Sequence, residues 1–159
     1  MKGNPLGFGF ASPENSGTFL NLQTFSIAGT YTYAPTSGMV RVKVTIVGAT
    51  SGSGGEAGTS GGYPTGGDGG NGGTSSFSTL LTVIGGLGAG TGAPGSLYTI
   101  SIPGASNPGR VGVGMYPYTL VSTGIIITVG AGGTAGAGVG GGGNGTAGSA
   151  GIVYVEEYF

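Results

Sequence analysis

GSGGEAGTSGGYPTGGDGGNGG, residues 52–73, places glycine at 52, 55, 58, 61, 67, 70 and 73, with Pro64 the one lapse in a three-residue series. A flexible linker needs glycine in no particular phase, whereas a three-residue period is the pitch of a polyproline-II-type helix. Residues 130–151 keep the same beat at Gly130, Gly133, Gly136, Gly142, Gly145, Gly148 and Gly151, with Val139 the lapse. Both tracts therefore read as ordered structure.

Neither tract can run straight. A helix of this type over 22 residues would extend roughly 68 Å at about 3.1 Å per residue, against a radius of gyration of about 15 Å for a compact domain of this length. Pro64 and Val139 sit near the tract centres, where the beat reserves a place for glycine, so the spacing predicts reversals over 61–67 and 138–144. Four short glycine-lined helices result. They have no internal hydrogen bonds, so each buried N–H must reach a neighbouring helix, and the missing side chains let the backbones come close enough.

The rest of the chain is rich in β signals. In MVRVKVTIV (39–47), Val40, Val42, Val44 and Ile46 alternate with Arg41, Lys43 and Thr45, the pattern of a strand with one buried face. LQTFSIAGTYTY (22–33), TSSFSTLLTVI (74–84), SLYTISI (96–102) and GIVYVEEYF (151–159) also read as strands, and YTLVSTGIIITV (118–129) as one long or two short ones. Residues 85–95 read as irregular and PGASNPGR (103–110) as a loop. No useful helical periodicity occurs. The expected fold is all-β: an antiparallel, sandwich-like core with polyglycine-II-type helices packed as a bundle. Residues 1–20 form an N-terminal arm or docking segment and 21–159 a single glycine-rich β domain.

Composition narrows function. The 159 residues include 42 glycines and 8 prolines, with four basic and five acidic side chains and a net charge of −1. Each glycine held in a regular element costs roughly 0.5–1 kcal/mol relative to alanine, which the β core must help offset. With so few charges there is no basic patch to neutralise phosphates, and nucleic acid is not an expected partner. Cysteine, histidine and tryptophan are absent, so no thiolate or imidazole metal site and no histidine-based triad is available. Asp68 and Glu56 are too few to cage Ca²⁺. Glu156 and Glu157 face opposite sides of a strand and cannot act together on one substrate; they read as solvated, or one pairs with Arg41 or Lys43. GTGAPG (90–95) matches a dinucleotide fingerprint, but a strand signal rather than a helix follows it. No enzyme activity, cofactor or metal is expected. Dense glycine interrupts the uncharged interval between Arg110 and Glu156, so membrane insertion is not expected. The opening MKGNPLGFGFASPENSG lacks the apolar run of a secretory signal.

Surface recognition remains. Tyr63 and Pro64 at one expected reversal, Asn107 and Arg110 in the loop NPGR, and Met115, Tyr116 and Tyr118 in MYPY place aromatic and polar groups in turn-rich segments. Rigid aromatics supply contact area to proteins or sugars at low entropic cost. These seven are the candidate binding residues.

FSIAGTYTYAPTSGMVRVKVTIVGA, GGTSSFSTLLTVIGG, ITVGAGG and GSAGIVYVEEYF together resemble the glycine-rich tail-fibre and tail-tip adhesins of bacteriophages, over most of the chain from about residue 24. The resemblance implies a virion protein, made in the host cytoplasm, that binds a bacterial surface receptor, either an outer-membrane protein or a glycan. It implies polyglycine-II packing, with binding at the interruptions 63–65, 105–110 and 115–118, and attachment to other virion tail proteins through the N-terminal arm. Monomer and homotrimer both stay open. Two other classes compete: a structural capsid or tail component without a receptor role, and an ice-binding or matrix protein, for which the outward Thr and Ser positions are too irregular.

Overall fold

The computed structural model describes residues 17–56, 65–90 and 105–159. The strand expected at 96–102, the 90–95 motif past its first glycine, and most of the N-terminal arm lie outside them. β-Branched and aromatic runs form β1 (Phe19–Phe25), β2 (Gly29–Thr32), β3 (Arg41–Val47), β4 (Ser75–Phe77), β5 (Leu81–Val83), β6 (Val111–Pro117), β7 (Ile126–Val129) and β8 (Ile152–Tyr158), with one helical turn, α1 (Tyr118–Val121). The strands make two four-stranded sheets in the orders β1-β8-β3-β6 and β2-β7-β4-β5, with every pairing antiparallel.

Alternation decides which side chains enter the core. Val42, Val44 and Ile46 of β3 and Val153 and Val155 of β8 are fully buried, and they meet Phe77, Val83, Ile127 and Val129 of the second sheet. Val40, in phase with the buried set, lies before the strand begins and is exposed. The segment 22–33 does not form one strand: β1 joins the first sheet and β2 the second, so the chain changes sheets between them. The 118–129 segment also departs from expectation. Its first residues form α1, anchored by buried Val121, and only Ile126–Val129 is strand, with Gly124 at φ +68° between them. Conversely, β6 occupies residues with no expected strand. Its inward positions are Gly112 and Gly114; a Cβ on Gly112 would come 2.6 Å from Val83 Cγ2. Glycine erases the apolar signature there because the space is filled by the opposite sheet at Gly112 and by the Tyr116 side chain of the same strand at Gly114.

Six glycine-rich segments extend from one end of these sheets, and backbone hydrogen bonds tie them together every third residue. Gly52 and Gly55 donate to the carbonyls of Gly70 and Gly67 (2.9 and 2.8 Å), and Gly67, Gly70 and Gly73 donate to Ala137, Thr134 and Ala131 (2.7–2.8 Å). In both sets the acceptor number falls as the donor number rises, so those segments are antiparallel. Gly133, Gly136 and Val139 donate to Thr50, Ser53 and Glu56 in parallel, and Gly145, Gly148 and Gly151 to Gly136, Gly133 and Gly130 in antiparallel fashion. Gly86 and Ala89 donate to Ala49 and Gly52, while Gly48 and Ser51 donate to Arg110 and Asn107. Segment 49–56 is thus central, with 65–73, 85–89, 107–110, 130–138 and 142–151 around it, and residues 51–55 are buried without a break. Close approach demands glycine at Gly133, where a Cβ would run into the Gly70 carbonyl oxygen and lie 2.5 Å from the Gly52 nitrogen.

The second tract reverses at Val139–Gly142, inside the interval its spacing predicts, where the Gly142 amide donates to the Val139 carbonyl (3.1 Å); in the first tract 49–56 and 65–73 are antiparallel, and most of its expected reversal, 61–67, lies outside the described residues. Two further segments, 85–89 and 107–110, join the four that the triplet spacing predicts. The first reads as irregular and the second as loop because neither is long enough to show a period.

Candidate functional site

The segments alternate in direction. Those following β3, β5 and β7 lead away from the sheets, and those preceding β4, β6 and β8 return. The described residues that flank the connections 57–64 and 91–104, and the turn 139–142, therefore lie at the pole opposite the sheets. The chain's first described residue is at the other pole: a Cβ on Gly17 would come 3.1 Å from Arg41 Nη2 and would run into the Phe159 carbonyl oxygen, and the Phe159 amide donates to Thr18 (3.1 Å). Arg41 itself stacks its guanidinium over Tyr158, 5.7 Å from the ring centroid.

This polarity divides the sequence candidates. Tyr63 and Pro64 belong to the first connection and lie outside the described residues. Asn107 is not on a free loop: its amide donates to Ser51 Oγ (2.7 Å), its carbonyl accepts from the Ser51 amide (3.0 Å) and its Nδ2 donates to the Leu87 carbonyl (2.8 Å). Arg110 is exposed at the start of β6 and lines a groove of about 280 Å³ with Leu81, Ile84 and Val111. Met115 and Tyr116 are strand residues facing opposite ways. Met115 is exposed, whereas the Tyr116 ring stacks on Phe77 at 6.1 Å and its hydroxyl donates to the Leu80 carbonyl (2.8 Å). Burial pushes the Tyr116 phenol up. Tyr118 starts α1 at the arm's pole, its amide bonded to the Val40 carbonyl (2.7 Å), with its side chain exposed. The structure thus brings Asn107 and Arg110 together along one side and separates both from Tyr118.

The structure also contains a buried carboxylate site. Glu157, expected in solvent, is fully buried. Its oxygens accept from Tyr33 Oη and Thr36 Oγ1 (2.5 Å each), the Thr36 amide (3.0 Å), Asn21 Nδ2 (3.1 Å) and Gln23 Nε2 (3.3 Å). Burial alone would raise this carboxyl, but the bonds from Thr36, Tyr33 and Asn21 outweigh it and hold the group below the usual glutamate range. Burial, reinforced by the Glu157 hydrogen bond and charge, raises the Tyr33 phenol far above its ordinary value. The signal was available in the phase of β8, which puts 157 on the same face as Val153 and Val155. With its acceptor sites filled, Glu157 is a clamp between β1, the 33–36 turn and β8. Glu156, on the outer face, pairs with Lys43 at 2.7 Å, one of the two partners expected for the glutamate pair, and that bond raises the lysine.

Among the described residues no three acidic, histidine or cysteine side chains gather as a metal site, and no helix is long and apolar enough to cross a membrane. No protein-family model matches the chain, and a search of curated proteins finds no similar sequence.

Proposed function

We propose that the chain is a receptor-binding protein of a bacteriophage tail fibre or tail tip, in which six polyglycine-II-type helices hold adhesive connections at one pole. The helix assignment is supported by hydrogen bonds that recur every third residue between segments while the segments make neither strand ladders nor helical turns. The observation that carries the function is the polarity: Gly17, the first described residue, lies beside Arg41 and Phe159, at the end of the sheets remote from the outer ends of the six glycine segments. Attachment to other tail proteins through the arm then leaves the outer ends of the glycine segments facing away from the tail. Loops on a rigid scaffold are where recognition residues are usually placed, and Tyr63 and Pro64 fall in the sequence between two such segment ends. The partner is an outer-membrane protein or a surface glycan of a bacterium, and the location is the virion.

Binding of purified protein to a panel of bacterial cells tests this. Tyr63→Ala should lower attachment about tenfold, the scale of one aromatic anchor, and Tyr118→Ala, at the arm's pole, should leave it unchanged. No attachment by the native chain to any strain, or loss on Tyr118→Ala with none on Tyr63→Ala, contradicts the proposal. Absence of attachment from a protein found in purified virions would instead favour a structural component.

A further inference from the structure

Among the described strands β6 ends its sheet, and its phase is fixed by two hydrogen bonds. Gly48 donates to the Arg110 carbonyl (2.8 Å) and Tyr118 to the Val40 carbonyl (2.7 Å), so even-numbered residues of β6 turn their main-chain groups toward β3. Val111, Val113 and Met115 turn theirs outward, and no bond joins those groups to any other described residue. The side chains of the same three are 65%, 58% and 59% exposed. Edge strands are ordinarily protected by charge, by proline within the strand or by a bulge. The far edge, β1, has a bulge between Phe19 and Asn21; β6 pairs without a register shift, carries no charge and has its only proline at its last residue.

We propose that β6 pairs with β6 of a second copy of this chain, antiparallel about a twofold axis through Val113, joining two four-stranded sheets into one of eight strands. This register engages all three outward residues: Val113 faces Val113, and Val111 faces Met115 on each side. Every facing pair is apolar, so no like charges oppose one another. Pro117, which lacks an N–H, falls at the end of the pairing, where no donor is needed. A threefold ring would need β6 to pair with β1, whose bulge interrupts the ladder. A single strand pair buries little area, so association should be concentration-dependent rather than obligate. This inference is independent of the receptor proposal.

The chain has no cysteine, so introduced thiols report the register. Facing residues in a hydrogen-bonded pair lie about 5.5 Å apart at Cα, within disulfide range. Two copies of residue 111 would be four positions out of register, roughly 13 Å apart. On mild oxidation of the full chain, Val113→Cys and the double variant Val111→Cys/Met115→Cys should form covalent dimers, and Val111→Cys or Met115→Cys alone should not. Sedimentation equilibrium of the native chain should approach twice 15.1 kDa as concentration rises, while Val113→Lys, with an unchanged circular dichroism spectrum, stays monomeric. A native mass of 15.1 kDa at every concentration with no Val113→Cys cross-link, as expected if another segment of the same chain occupies the edge, overturns the proposal. Equal cross-linking of all single variants, the signature of random collision, also overturns it.

Discussion

Tyr33 and Glu157, 124 positions apart, share a 2.5 Å hydrogen bond in a fully buried setting that joins the turn after β2 to the last strand of the chain. A buried carboxylate is tolerated only when its lone pairs are occupied, and the Thr36 hydroxyl and amide complete much of that shell. Replacing Tyr33 by Phe keeps the ring against Phe77, 5.5 Å away, and removes one charge-assisted bond. The expected cost is about 1.5–3 kcal/mol, read from the urea midpoint. A change within error would show that the bond contributes nothing net.

The same pair sets the pH limits of stability. Glu157 titrates lower in the folded chain than its ordinary value of 4.5, so its contribution is present above that pH and is lost as pH falls through the depressed folded value. Tyr33 titrates higher than its ordinary 10.0, so its contribution is complete below pH 10 and is lost as pH rises above it. Urea midpoints measured against pH should fall on both sides. Glu157→Gln should flatten the acid limb, and an acid limb identical to that of the native chain would contradict the assignment.

Glycine substitutions separate tight positions from open ones. Gly133→Ala forces a methyl group into the Gly70 carbonyl and should cost about 1–3 kcal/mol or more. A Cβ on Gly90 meets nothing within 4 Å, and its φ is not in the left-handed region. Gly90→Ala should therefore be neutral or stabilising by up to about 1 kcal/mol. Thermal unfolding of the two variants checks the difference, and equal losses would remove the close-packing argument.

Tyr116 and Tyr118 look alike in MYPY but differ in role. Tyr116→Phe loses the bond to the Leu80 carbonyl and should destabilise by about 0.5–1.5 kcal/mol. Tyr118→Ala, on an exposed side chain, should shift stability by no more than about 0.5 kcal/mol. Denaturant midpoints of the two variants decide, and a larger loss at Tyr118 would reverse the assignment.

These contrasts show what the sequence made legible. β3 and β8 were readable because valine and isoleucine recur at every second position, and the two long tracts because glycine recurs at every third. β6 was not, since Gly112 and Gly114 stand where the pattern needs apolar side chains, and Val83 from across the core and Tyr116 from the same strand fill the space. Segments 85–89 and 107–110 were too short to display a period and take their order from segment 49–56. Glu157 reads as solvated by its polarity, whereas its phase in β8 turns it inward and the donors that hold it come from residues more than a hundred positions away. Of the candidate contacts, Asn107 and Tyr116 are tied into the scaffold, which only the tertiary pairing could reveal.

Amide hydrogen exchange tests the central account most directly, because the glycine segments make no bonds along themselves and can be protected only by one another. Gly52, Gly55, Gly70, Gly133 and Gly136, whose amides all donate between segments, should exchange as slowly as those of β3. Exchange of these five at the rate of an unstructured peptide, while β3 stays protected, would contradict it.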